Sequence, residues 1–337
     1  MFLCLFCIYI DYMTNFLHEI VSKRQKKPRV TGLTHAVDHM EIPPESYGPN
    51  TFEFVDVVKI GWGLPALLDM ENLKQRIAAY HKFEVKVSSG GTLTEYAMMK
   101  KHFEKYLNEL SAAKFDVVEI SESRLNLSLS EKKKAILSAK SCNLDVAVKI
   151  GRKNPKEQLN SLELKKKLDE AAALDAWKIV IEAGEGFGVA LFGEDGQLKP
   201  ETLDLLHSTI ESERVIFEAP LRHQRGALIF RLGADANIGG ISLGEVPALE
   251  TQRLGIMSGE TFGLVKRSKT LLGGPAAKFV YFLISTRSPI GQEELIRVSN
   301  LPRRTVQSAL EKLRGADLII EEPEPSDLRR KVYRPVP

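Results

Sequence analysis

Between residues 30 and 241, short runs rich in β-branched residues alternate with longer stretches in which apolar residues recur every three or four positions. The runs are VTGLTHAV (30–37), FVDVVKIG (54–61), FEVKVSS (83–89), FDVVEIS (115–121), LDVAVKIG (144–151), WKIVIEAG (177–184), RVIFEAP (214–220) and DANIGGI (235–241). Their length and largely apolar character are those of strands buried on both faces. The segments Asp69–His81, Leu93–Leu110, Ser130–Lys140, Glu157–Leu174 and Glu201–Ile210 have helical spacing. Eight strands alternating with helices predict an α/β chain closed into a (β/α)8 TIM barrel. A doubly wound sheet fits less well, since no G-x-G-x-x-G follows the first strand.

The pattern changes after Gly273-Gly274-Pro275. A helix-like AAKFVYFLIST is followed by a short helix QEELIRVS, a turn at Asn300-Leu301-Pro302 and a third helix RRTVQSALEKLR. A strand DLIIE, an acidic Pro-rich turn and a basic strand RRKVYRPV complete the chain. This order predicts a winged helix-turn-helix. The expected organisation is an extension over 1–28, a barrel over 29–265, a linker over 266–274 and the small domain over 275–337.

A length of 337 residues with 43% hydrophobic and 27% charged excludes a disordered, collagen-like or disulfide-scaffold protein. The net charge of +3 conceals an asymmetry. Residues 266–337 carry 14 Lys+Arg against 8 Asp+Glu, a net +6, whereas residues 1–265 carry 33 against 36, a net −3. The cysteines are Cys4, Cys7 and Cys142; without a second pair, Cys4 and Cys7 do not make a four-ligand zinc site. So few thiols fit a reducing, cytoplasmic compartment. The apolar opening MFLCLFCIYI is too short for a membrane span and lacks the positive region and cleavage site of a secretory signal, so no membrane association is expected. Because Met13 opens a polar, helix-compatible stretch, residues 1–12 are expected to precede the true start.

In a barrel, chemistry concentrates at the carboxyl ends of the strands. The charged residues expected there are Asp38, Lys59, Glu119, Lys149, Arg152, Lys153, Glu182, Glu185 and Glu218, with Asn237 assigned to the eighth strand. Gly90-Gly91-Thr92 and Gly239-Gly240 follow strands three and eight. Together they suggest a cup for a small phosphorylated anion. Lys149, Arg152, Gly90, Gly91, Thr92, Asn237 and Gly239 would bind it, partly through backbone amides near helix starts. His81, His102 and His207 fall in helical segments and read as surface residues, and no H-x-x-H spacing suggests zinc.

Over residues 30–263 the chain resembles the phosphosulfolactate synthase family: KPRVTGLTHAVD, VKIGWG (58–63), SSGGTLTEYA (88–97), VVEIS (117–121), GRK (151–153), VIFEAP (215–220), and LETQRLG with ETFG (249–263). The resemblance implies a cytoplasmic barrel enzyme, expected as a homo-oligomer. It would add sulfite to phosphoenolpyruvate in a magnesium-dependent step, giving 2-phospho-3-sulfolactate for coenzyme M synthesis. Lys153 aligns with the family's general acid/base lysine, a role that asks Lys149 and Arg152 to lower its pKa. Lys59 would bind phosphate or carboxylate, and Glu119, Glu185 and Glu218 would hold Mg2+ or orient the lysines. Four departures alter how a trianionic substrate would be held. Lys149 replaces an acidic residue, Glu122-Ser123 an Asp-Gly, and Gly184 an arginine, while an arginine before ETFG is missing.

The third helix of the tail repeats Val306, Leu310 and Leu313 on one face, leaving Arg303, Arg304, Gln307 and Lys312 opposite. These residue types contact phosphates and base edges in DNA, and Arg329 and Arg330 would lie on the wing. Two functions of different class follow: a lyase with an accessory tail, or a regulator of transcription whose barrel senses a phosphorylated metabolite.

Overall fold

The structure is a computed structural model describing residues 24–207, 210–257, 261–262, 275–315, 318–324 and 327–335. The expectations for residues 1–12, for Cys4 and Cys7 and for the 266–274 linker lie outside the described residues. Chain contacts divide the molecule into two compact units, with the boundary between Lys266 and Arg267.

The first unit is a closed eight-stranded TIM barrel whose neighbouring strands all run parallel. Its strands are β1 (Thr34–Asp38), β2 (Val57–Ile60), β3 (Lys86–Ser89), β4 (Val117–Ser121), β5 (Asp145–Ile150), β6 (Lys178–Ile181), β7 (Val215–Glu218) and β8 (Ile238–Ser242). Each lies within one of the eight apolar runs or overlaps it. Around them pack α1 (Met70–His81), α2 (Gly91–Met99), α3 (Phe103–Ala113), α4 (Leu129–Ser141), α5 (Ser161–Ala172), α6 (Pro200–His207), α7 (Arg222–Leu232) and α8 (Val246–Arg253).

Alternation along the strands builds two separate cores. Outward residues such as Val58, Ile60, Val118, Val148, Ile179 and Phe217 join helix residues including Ile77, Leu107, Leu164 and Leu228. Inward residues Val117, Ala147, Val180 and Ile216 make a small inner layer against Trp177, which precedes β6. The next inward position lies two residues further along each strand. That position is charged: Glu119, Lys149, Glu182 and Glu218.

The stretch Leu93–Leu110, expected as one helix, is two. Lys101 adopts a left-handed φ of 59° between α2 and α3, and His102 precedes α3. Residue composition carries no warning of this break, because lysine has a good helix propensity. Other boundaries follow local rules. The Ser128 side chain accepts from the Glu131 amide while Glu131 returns a bond to the Ser128 amide, opening α4. Asn160 and Glu163 do the same for α5.

The second unit comprises α9 (Pro275–Arg287), β9 (Ile290–Gly291), α10 (Gln292–Ser299), α11 (Arg303–Gly315), β10 (Ile319–Glu324) and β11 (Asp327–Pro335). Its sheet has the order β10-β11-β9, antiparallel throughout. The expected two-stranded ribbon thus has a third strand, whose two residues are too few to show a pattern. Val280, Ile284, Leu295, Val306, Leu310, Leu313, Ile319 and Tyr333 form a core of its own. Among the described residues no helix is long and apolar enough to cross a membrane.

Candidate active site

Lys59, Glu119, Lys149, Glu182 and Glu218 come from or directly follow five different strands and are all buried. Lys59 Nζ lies 2.8 Å from Glu218 Oε1, across the barrel from β2 to β7, and 3.3 Å from Glu119 Oε1. Lys149 Nζ lies 2.9 Å from Glu182 Oε2 and 2.9 Å from the same Glu218 oxygen. One carboxylate therefore bridges two ammonium groups. Backbone donors complete the set: the Gly91 amide donates to Glu119 Oε2 at 3.1 Å, and the Gly184 amide to Glu182 Oε1 at 2.8 Å.

Burial opposes ionisation of Glu218, yet Lys149 and Lys59 outweigh it and hold the carboxyl well below its usual range. Glu119 is lowered on the same balance. Burial prevails at Glu182, whose pKa is raised despite Lys149. At Lys149 burial is outweighed by Glu182 and Glu218, so its pKa rises well above the ordinary value and it remains a cation. Burial, then Lys59, pushes His35 down to about 4, leaving it neutral at pH 7. The network thus opposes two ammonium groups to three carboxyl groups.

Above this layer is a cavity of about 160 Å³. Lys59, Lys149, Lys153, Gly90, Gly91, Thr92, Glu119, Glu185 and Glu218 line it, as their sequence positions suggest. Lys153 Nζ donates to Thr92 Oγ1 at 3.0 Å. Gly91 opens α2 where no side chain fits, since a Cβ would come 2.5 Å from Ser121 Cβ. That closeness brings the first amides of α2 to the cavity wall.

Three expected binding residues are placed elsewhere. Arg152 turns aside, donating to the carbonyls of Glu122 and Ser123 and to Asn126. Arg152 is thus engaged by the loop after β4, whereas Lys149 lines the same cavity as Lys153 but is held between carboxylates. Asn237 lies at the amino end of β8, where it accepts from the Leu33 amide and donates to the carbonyls of Ser212, Glu213 and Val215. The strand begins one residue after it, so Asn237 ties loops at the opposite end of the barrel. A Cβ on Gly239 would come 2.9 Å from Ile216 and 3.1 Å from His35, and it is Gly240 that reaches the cavity. Glu122 also points outward, 2.6 Å from Lys132 and 3.2 Å from Lys167.

The magnesium candidates Glu119, Glu185 and Glu218 line the same cavity. Glu119 and Glu218 are engaged by lysines, and Glu185 is exposed. Among the described residues no group of three or more His, Cys, Asp or Glu side chains could hold a metal ion. This donor set does not fit a magnesium ion held by the protein alone.

Sequence reasoning placed Glu182 among the strand-end charges without giving it a role, and it gave none to His39 or Trp62, which also line the cavity. For Glu182 a signal existed: V-x-E, A-x-K, V-x-E and I-x-E occur at Val117, Ala147, Val180 and Ile216. At a period of two, each charge stands on the inner face above an apolar residue.

A family model described as (2R)-phospho-3-sulfolactate synthase (ComA) matches residues 22–259. The chain belongs to that family. It is 38% identical to the phosphosulfolactate synthase of Methanocaldococcus jannaschii over 242 residues, covering 69% of this chain and 95% of the relative. The phosphosulfolactate synthase of Methanothermobacter thermautotrophicus is 30% identical, with 72% and 95% covered. That of Bacillus subtilis is 27% identical, with 72% and 96% covered. Membership of the phosphosulfolactate synthase family thus rests on the barrel and excludes the second unit.

Proposed function

We propose that the barrel is a phosphosulfolactate synthase, a carbon–sulfur lyase that adds sulfite to phosphoenolpyruvate and supplies an early intermediate of coenzyme M synthesis. The observation that carries this reading is the cavity at the carboxyl ends of the strands, lined by Lys59 and Lys153 together with Gly91 and Thr92 at the start of α2. The sulfite sulfur lone pair attacks the terminal methylene of the enol phosphate, and the double-bond electrons move onto the carboxylate as an enolate-like dianion. A proton then returns to the phosphate-bearing carbon, giving 2-phospho-3-sulfolactate. Lys153 is the proton donor in this scheme, because it lines the cavity and its ammonium is held by a hydroxyl. Lys59 stabilises the charge that develops.

The experiment is sulfite-dependent product formation from phosphoenolpyruvate in buffer containing Mg2+, compared with Lys153→Ala. Turnover no greater than that of the variant rejects the reading.

A second reading concerns the C-terminal unit, which we infer to be a winged helix-turn-helix that contacts duplex DNA. Arg304, Ser308 and Lys312 lie four residues apart on α11, so they share a face; Arg304 and Lys312 are exposed. Their Cα atoms are about 12 Å apart at 1.5 Å per residue, comparable to the width of a major groove. Gln307 is exposed nearby, whereas Arg303 is held by Glu293 at 2.7 Å. Arg330 is exposed on β11, and the side chain of Arg329 lies outside the described residues. Affinity for duplex DNA should fall as salt rises and drop in Arg304→Glu/Lys312→Glu. Such binding without sulfite-dependent turnover would favour a transcriptional regulator whose barrel senses a phosphorylated metabolite.

A further inference from the structure

Trp62 combines three properties that a packing role does not explain. Its backbone is left-handed, with a φ of 54°, a conformation rare for a bulky side chain. Its side chain remains 67% exposed, although tryptophan gains much from burial. It is nevertheless ordered by stacking, its ring 4.1 Å from that of His39 with the planes 15° apart. Both rings line the cavity beside Lys59 and Lys153. Strain retained at a cavity mouth by an exposed aromatic points to a ligand-facing task.

The approach of neighbouring loops explains why this residue stands here. A Cβ on Gly90 would come 3.3 Å from Gly61 Cα, so the turn after β2 passes directly over the start of α2. Gly61 and Gly63 flank that turn, and Gly63, with a φ of 74°, takes the left-handed backbone it needs. Trp62 between them is carried to the rim and meets His39, the residue after β1. A rigid planar pair then borders one side of a cavity of only about 160 Å³.

We propose that the Trp62–His39 stack is a specificity-determining wall, shaped for a planar three-carbon enol phosphate and excluding homologues substituted at the terminal carbon. This rests on the reaction proposed above, and it is tested through binding so that the two fail separately. The chain contains two tryptophans, and Trp177 packs against the apolar layer inside the barrel, away from the cavity. Phosphoenolpyruvate without sulfite should therefore change the emission of the full-length protein, and Trp62→Phe should remove most of that response. By calorimetry the protein should prefer phosphoenolpyruvate over its C3-methyl homologue at least tenfold, the scale set by one extra carbon in a close-fitting site. In Trp62→Gly that preference should shrink to about twofold. Glycine adopts this φ freely, so the variant should melt no lower than the parent. Phosphoenolpyruvate binding without an emission change, or full discrimination in Trp62→Gly, overturns the wall. Binding and discrimination as expected but no sulfite-dependent turnover leaves the wall standing and removes the reaction. No phosphoenolpyruvate binding at all overturns both.

Discussion

Lys149 is the residue on which the interior balance depends. The two groups it contacts, Glu182 and Glu218, are both buried, and Glu218 is also ion-paired with Lys59. Removing one partner of a buried pair costs about 3–5 kcal/mol, since the remaining charge loses its compensation. Lys149→Met should therefore lower stability by about 3 kcal/mol in urea titrations at pH 7. The loss should be smaller near pH 4, where Glu182, already raised, takes up a proton. His35 supplies a second test. Its pKa falls from 6.5 to about 4 on folding, so the unfolded chain binds more protons between those values. Stability should decline as pH drops from 7 to 4, by on the order of 3 kcal/mol from this group. The depressed Glu218 acts in the same direction, its contribution being lost as pH falls through its folded pKa. His35→Gln should flatten the part of the slope that lies between pH 6.5 and 4; an unchanged slope would rule out His35 as the cause.

Elements begin where short polar motifs satisfy backbone donors. The α4 start has both halves of its reciprocal cap, and Ser128→Ala should cost about 1 kcal/mol by loss of the bond to the Glu131 amide. Chemical denaturation measures this directly, and no change would show the cap to be redundant. Helix and strand positions were largely legible, because a two-residue or a 3.6-residue apolar period survives in any tertiary setting. The separation of α2 from α3 was not, because Lys101 adopts its left-handed backbone without any local sequence signal. Asn237 was misplaced for a related reason. An offset of a few residues at a strand end moves a side chain from one mouth of the barrel to the other.

At the scale of the molecule, the two units have separate cores and separate sheets. A chain ending at Lys266 should therefore fold and keep the turnover of the full-length protein within about twofold, while losing DNA association. Loss of turnover with retained circular dichroism would show instead that the barrel needs the second unit. The charge asymmetry of the chain also gains a physical basis. Barrel cations that seemed available to an anion are partly neutralised by Glu119, Glu182 and Glu218, which leaves Lys153, bonded to the Thr92 hydroxyl, as the more exposed cation of the cavity.

By itself the sequence determined the eight barrel strands and their order, the family, and most of the charges at the barrel mouth. Each of these is encoded locally, in periodicity or in contiguous motifs. Only the tertiary structure decided which charges neutralise one another. Lys59 and Glu218 are 159 positions apart and meet only because the barrel closes. The same closure turned Arg152 and Glu122 outward, placed Asn237 at the opposite end and stacked Trp62 on His39. Ring closure sets the distance between residues on non-adjacent strands, and no local pattern carries that distance.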